Sequence, residues 1–185
     1  DTRALHAPQL IRDALRNMGK PLAAAEVLIL GAAYREDVGD TRYSGSEVMV
    51  RKLAEMGADV KVHDAYVEHW WELEAQDTYP HPGYSLKRFF HRQEQLKNLR
   101  IERDLETALK GVDAVVFAVR HQQYLRLDPD DVFRQVGKPF AVVDCFCILS
   151  DAQIRRYLEL GCEVKGMGRG HIKRIKDSLG GSVRG

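Results

Sequence analysis

The chain of 185 residues has little cysteine: three residues, an odd number, which argues against a secreted scaffold built on disulfides. It has no run of 18 consecutive apolar residues, so no segment reads as a transmembrane helix. It has no excess of either charge. Twenty-eight Lys+Arg face 27 Asp+Glu, a formal net charge of +1, whereas a dedicated nucleic-acid binder concentrates basic charge. Its first stretch is charged and amphipathic, unlike a signal peptide. There is no low-complexity tract and no repeat at a fixed period. The chain opens on Asp1 without Met, and the expectation is a piece of something longer. These absences point to a cytoplasmic protein with neither nucleic acid nor membrane as partner. Hydrophobic residues make up 44%, enough to build one ordinary core.

What is present alternates. Ala7 to Met18 reads as a helix, with Leu10, Ile11, Leu15 and Met18 on one stripe. Val27 to Gly31 is a short apolar run, the mark of a buried parallel strand. Ser44 or Ser46 can cap a helix that runs to about Met56 and ends at Gly57. Asp59 to His63 is a second strand. The rhythm returns with a helix at Leu105–Leu109 and strands at Ala114–Val119, Phe140–Asp144 and Cys162–Gly166. Helices at Asp128–Val136 and Asp151–Leu160 separate them. Strand–helix–strand units of this length favour a parallel sheet with right-handed crossovers, hence an α/β doubly wound fold. Between Val67 and Arg100 the rhythm breaks. Trp70, Trp71, Phe89 and Phe90 lie among many charges there, too long a stretch for a loop. It reads as an inserted helix or two, with Tyr79 to Gly83 as a turn.

In a doubly wound sheet, ligands bind outside the carboxyl ends of the strands, so the loops there matter most. The first turn, Gly31-Ala32-Ala33-Tyr34-Arg35, lacks Gly-x-Gly-x-x-Gly and does not encode a dinucleotide cradle. In the following loop, Arg35 and Arg42 suit phosphate oxygens; an internally paired loop that caps the next helix is the plainer reading of the same residues. His121 follows a strand and can face a ligand or bond locally. Cys145 and Cys147 share a face at strand spacing and read as buried or half-buried structural thiols, since Cys-x-Cys is not zinc-finger spacing. Gly166 to Gly170 permits a tight turn. The basic run His171 to Lys176 reads as a solvated helix face. No catalytic residue and no metal are assigned.

Taken in order, these segments resemble the C-terminal, UDP-binding domain of the UDP-glucose/GDP-mannose dehydrogenase family. Val27 to Arg35 followed by Gly39-Asp40-Thr41-Arg42-Tyr43-Ser44 is similar to that family's strand, Gly-x-Ala-(Phe/Tyr)-Lys and Asp-Thr-Arg-x-Ser. Gly57 to Val67 is similar to the strand that ends Tyr-Asp-Pro-x-Val. Asp113 to His121 is similar to the element closing on Thr-x-His, and Gly161 to Gly170 to the last strand with Gly-x-Gly-Arg-Gly. Where the family has Asp-Gly-Arg, this chain has Asp144-Cys145-Phe146. Phe146 offers a ring to a base and no charge to a phosphate.

The resemblance implies a Rossmann-like doubly wound, mainly parallel sheet with a helical insertion after the second strand. Residues 1–21 would be the end of an inter-domain linking helix and 22–179 the nucleotide-sugar domain. The insertion would fall at about 68–100, and 180–185 would form a flexible tail. It further implies oxidation of a nucleotide sugar's C6 alcohol to a carboxylate, in two NAD-dependent steps through a thiohemiacetal. NAD and the nucleophilic Cys would belong mainly to an N-terminal domain, the partner of this one in a homodimeric enzyme. Tyr34 and Arg35 would bind the UDP-sugar, and Arg42 would reach the NAD phosphates. On this reading the chain alone is inactive. A non-catalytic nucleotide-sugar-binding module, serving as sensor or assembly partner, is the alternative.

Overall fold

The computed structural model describes residues 3–33, 36–39, 41, 44–74, 93–167 and 170–183. Six strands form one sheet: β1 (Glu26–Leu30), β2 (Asp59–His63), β3 (Ile101–Glu102), β4 (Ala114–Phe117), β5 (Ala141–Asp144) and β6 (Glu163–Gly166). Every pairing is parallel and the order is β3-β2-β1-β4-β5-β6. The helices are α1 (Arg3–Asn17), α2 (Gly45–Glu55), α3 (Trp71–Glu74), α4 (Leu105–Leu109), α5 (Gln122–Leu125), α6 (Pro129–Val136), α7 (Asp151–Glu159) and α8 (His171–Val183). The doubly wound α/β architecture expected from the apolar runs is therefore present.

Strand periodicity sorts the core into two layers. Val27 and Ile29 of β1 face α1 and α2, with Ile11, Leu15, Met49 and Leu53. Leu28 and Leu30 face the other way, toward α4, α6, α7 and α8, with Val132, Ile154 and Ile172. Both faces are covered, which is why β1, β4 and β5 are almost uniformly apolar rather than alternating. Helix starts are capped by side chains. Ser44 caps α2 by accepting from the Ser46 amide, and Asp128 caps α6, whose first residue is Pro129. Ser150 and Gln153 form a reciprocal capping box on α7.

Some elements differ from the sequence reading. β3 was not expected: it is two residues long and lies among charges, too short for any period to register. β4 stops at Phe117, not Val119, because the Ala118 and Val119 amides both turn to the Leu30 carbonyl, at 3.1 and 3.3 Å. α8 continues through Gly180 and Gly181 to Val183; an established helix adds one hydrogen bond per further residue. In the insertion, the described part contains α3 and a 3₁₀ helix at Glu94–Asn98, anchored by buried Trp70, Leu73 and Leu96. The turn expected at Tyr79 to Gly83 lies outside the described residues. Among the described residues no helix is long and apolar enough to cross a membrane.

The amino ends of the strands are tied by Asp113. Its carboxylate accepts from Lys20 at 2.6 Å, Lys138 at 2.8 Å and the Glu26 amide at 2.9 Å. Burial disfavours this charge, but the two lysines outweigh it and hold the carboxyl far below the usual range.

Candidate functional site

The strand order reverses between β1 and β4, so the crevice above their carboxyl ends is the topological switch point. Four loops meet there: β1–α2, β2–α3, β4–α5 and β5–α7. Each is held by side chains at the strand ends.

Asp64, the residue after β2, is fully buried. Its Oδ2 accepts from the Ala32 amide at 2.8 Å, the Ala33 amide at 3.1 Å and His121 Nε2 at 2.9 Å. Its Oδ1 accepts from the Tyr66 amide at 2.8 Å. Burial alone would raise this carboxyl. The bonds from His121, Ala32 and Tyr66 outweigh it and hold the group below the usual carboxylate range. His121 is 1% exposed and engaged on both nitrogens. Nδ1 accepts from the Asp37 amide at 2.8 Å, so the proton of the neutral ring sits on Nε2, facing Asp64. The side chain of Asp37 continues the lattice: Oδ1 accepts from the Gln122 amide at 3.1 Å and from the Tyr66 hydroxyl at 3.2 Å. One chain of bonds thus joins the loops after β1, β2 and β4.

Beneath it, His63 and Tyr124 form a second buried pair. Tyr124 Oη donates to the His63 carbonyl at 2.9 Å and lies 2.7 Å from His63 Nδ1. Burial lowers the His63 pKa, so the ring is neutral at pH 7.

The β1–α2 turn is sterically exact at Gly31. Its φ is +113°, and a Cβ there would lie 2.5 Å from Val119 Cβ and Cγ2. Ser46 Oγ donates to the Gly31 carbonyl at 2.7 Å. The turn does not fit a dinucleotide held by this domain. The Ala32 and Ala33 amides, which would face a pyrophosphate, are spent on Asp64. The absent Gly-x-Gly-x-x-Gly therefore has a structural counterpart.

At the end of β5, Asp144 organises the next loop. Oδ1 accepts from the Phe146 amide at 3.2 Å and the Ile148 amide at 2.9 Å, and Oδ2 from the Leu149 amide at 3.0 Å. Arg120 crosses from the β4–α5 loop. Its Nη1 donates to the Phe146 carbonyl at 3.1 Å and the Cys147 carbonyl at 2.7 Å. The Phe146 ring packs against both core layers.

Of the residues singled out in the sequence, Tyr34, Arg35 and Arg42 lie outside the described residues. The segments that flank them do not: Ala33 and Asp37 on either side of 34 and 35, and Thr41 and Ser44 around 42 and 43, are placed by the lattice above and by the cap of α2. His121 is a local brace and does not present a nitrogen to the crevice. The paired-thiol expectation is corrected. Cys145 is buried, whereas Cys147 is exposed with φ +55°, because the strand ends at Asp144 and strand alternation no longer applies. Asp64 and Arg120 had no assigned role in the sequence reading. The usable signal for Asp64 was an acid directly after a strand that ends at the switch point. A groove of about 590 Å³ beside Val60 and Leu99 lies at the amino half of the outer edge, away from this crevice.

The fold defines a Rossmann-like α/β domain with a candidate site in the crevice at its switch point. The model of the UDP-glucose/GDP-mannose dehydrogenase family, UDP binding domain, matches residues 28–151, and the chain belongs to that family. UDP-glucose 6-dehydrogenase of Bos taurus is 28% identical over 160 residues, covering 85% of this chain and 30% of that protein. UDP-N-acetyl-D-mannosamine dehydrogenase of Methanocaldococcus jannaschii is 27% identical over 107 residues, 58% of this chain and 18% of that one. Among solved structures, the NDP-N-acetyl-D-galactosaminuronic acid dehydrogenase of Methanosarcina mazei Go1 superposes with a TM-score of 0.71 at 26% identity. It covers 92% of this chain, which spans 30% of that one. The chain thus spans under a third of the length of these relatives.

Proposed function

We propose that this chain is the nucleotide-sugar-binding C-terminal domain of an NAD-dependent nucleotide-sugar 6-dehydrogenase, acting in the cytoplasm as part of a homodimer. In the whole enzyme a sugar C6 alcohol becomes a carboxylate. The observation that supports this most lies on either side of residues 34 and 35: the Ala33 amide is held by Asp64 and the Asp37 amide by His121, within the segment that the family model matches.

Each group has a task on this reading. Tyr34 and Arg35 bind the UDP-sugar, Arg35 through charge-assisted bonds to phosphate oxygens. Arg42 reaches toward the phosphates of NAD. NAD supplies the hydride acceptor and is held mainly by an N-terminal domain, since the amides after β1 are already used. The chain alone is inactive. Burial pushes the Cys145 thiol up to about 12 and the Cys162 thiol up to about 11, so neither is a ready nucleophile at neutral pH.

A thermal-shift panel of UDP-, GDP- and TDP-sugars plus NAD tests the reading. UDP-sugars should raise the melting temperature and NAD alone should not. Arg35→Ala should weaken UDP-sugar binding by about 1–3 kcal/mol, the range of a hydrogen bond to a charged group. Unchanged affinity in titration calorimetry removes Arg35 from the site. Stabilisation by no nucleotide sugar refutes the function.

The alternative, a non-catalytic nucleotide-sugar module, is favoured by one observation: Phe146 gives its ring to the core and no charge to the crevice. The sequence encoded upstream of Asp1 discriminates. A Gly-x-Gly-x-x-Gly domain and a Cys flanked by glycines there support the dehydrogenase, and a nearby start codon supports the module.

A further inference from the structure

Arg120 is an exposed cation on the rim of the switch-point crevice, and it does not point freely into solvent. Its Nη1 is fixed by two carbonyls of the facing loop, those of Phe146 and Cys147, at 3.1 and 2.7 Å. Those two bonds use both Nη1 hydrogens. A guanidinium has five N–H donors, so the Nε–H and the two on Nη2 remain. None of them meets an acceptor among the described residues. Nε–H and Nη2–H lie side by side in the planar group, and this edge is the one that receives two oxygens of a phosphate or carboxylate at once.

The anchor points are themselves fixed. Asp144 holds the Phe146, Ile148 and Leu149 amides, and the Phe146 ring is packed in both core layers. On the other side, Val119 lies against Gly31, and the next residue after Arg120 is the fully engaged His121. The guanidinium is therefore pre-organised between two rigid strand ends, and an anion meeting it need not order a free side chain. Phe146 brings no charge to this rim, and among the described residues Arg120 is the cation that bridges the β4 and β5 loops.

We propose that Arg120 is an anion-binding residue of this crevice, receiving phosphate oxygens of the nucleoside diphosphate on its Nε–H and Nη2–H edge. This rests on the nucleotide-sugar reading above and adds a phosphate contact from β4 to those assigned to the β1 loop.

The test is amide-shift titration of the chain by NMR, which reads weak affinities, with UDP and with uridine. Arg120→Met should weaken UDP roughly 10- to 100-fold, the range of a lost charge-assisted bond, and leave uridine within about twofold. Arg120→Lys keeps the charge without the fork and should fall between. Unchanged UDP affinity in Arg120→Met overturns the proposal and leaves the nucleotide reading standing. So does an equal loss for UDP and uridine, the mark of a brace that only shapes the loop. A melting temperature for each variant detects unfolding; if Arg120→Met is not folded, the Lys variant carries the comparison, and no preferential loss of UDP there overturns the proposal. If the wild-type chain binds neither UDP nor uridine, the proposal and the reading fall together.

Discussion

Replacing Asp64 by Asn is the sharpest perturbation of the crevice, because it removes a charge while conserving shape. Four donors converge on this carboxylate: three amides and His121 Nε2. The Asn oxygen can take over at the Oδ2 position, keeping Ala32, Ala33 and His121. Its NH₂ then faces the Tyr66 amide, donor against donor. One part-buried donor left unsatisfied costs about 1 kcal/mol, the low end of the range for such a group, and loss of charge weakens the other three bonds, two from amides and one from His121, each buried. The expected loss is about 2–4 kcal/mol, a large share of the roughly 5–15 kcal/mol that stabilises a domain. At about 2–4 °C per kcal/mol for a chain of this size, the melting temperature should fall by roughly 4–16 °C. Thermal melts followed by circular dichroism measure this. Native-state hydrogen exchange at Ala32, Ala33 and Tyr66 should quicken more than exchange in β5. A fall below about 2 °C, with exchange unchanged at those amides, refutes the idea that the carboxylate holds the loops.

Gly31→Ala should destabilise by about 2–4 kcal/mol in urea melts, from overpacking and positive φ together. Val119→Ala should rescue it only in part, since the clash includes Val119 Cβ itself. His63 makes stability fall as pH drops below about 6.5. Burial depresses its folded pKa, so the unfolded chain binds the proton first, and the stability is fully present only above the unfolded value. His63→Leu should flatten that part of a pH series of melts; an unchanged slope assigns it to another group. Thiol titration at pH 8 should find Cys147 reacting fast and Cys145 and Cys162 only after unfolding, with mass spectrometry identifying the sites. Equal rates for all three would contradict their burial.

The layout of the sheet was legible because both faces of a parallel sheet are covered. Val27 to Leu30, Ala114 to Phe117 and Ala141 to Val143 stand out as unbroken apolar runs. β3 left no trace because two residues carry no period, and α5 because four residues complete barely one turn. For the crevice, sequence located the loops and His121 but not their partners. Asp64 and His121 are 57 positions apart, and only the adjacency of β2, β1 and β4 brings them to 2.9 Å. Hydrogen-bond partnership of that kind depends on topology, which a local pattern does not encode. Burial was equally hidden: Cys145 and Cys147 look alike in sequence, and the chain's departure from strand geometry after Asp144 separates them.

Phe146 is packed against the hydrophobic layers on both sides of the sheet. A cation introduced at this position would meet both of these packed layers at once. The new guanidinium could not inherit the ring's niche, two cores would each lose part of their packing, and Arg120 would face a like charge on the loop whose carbonyls it now grips. Any change of ligand preference at this rim is more accessible through Arg120 than through the residue beside it.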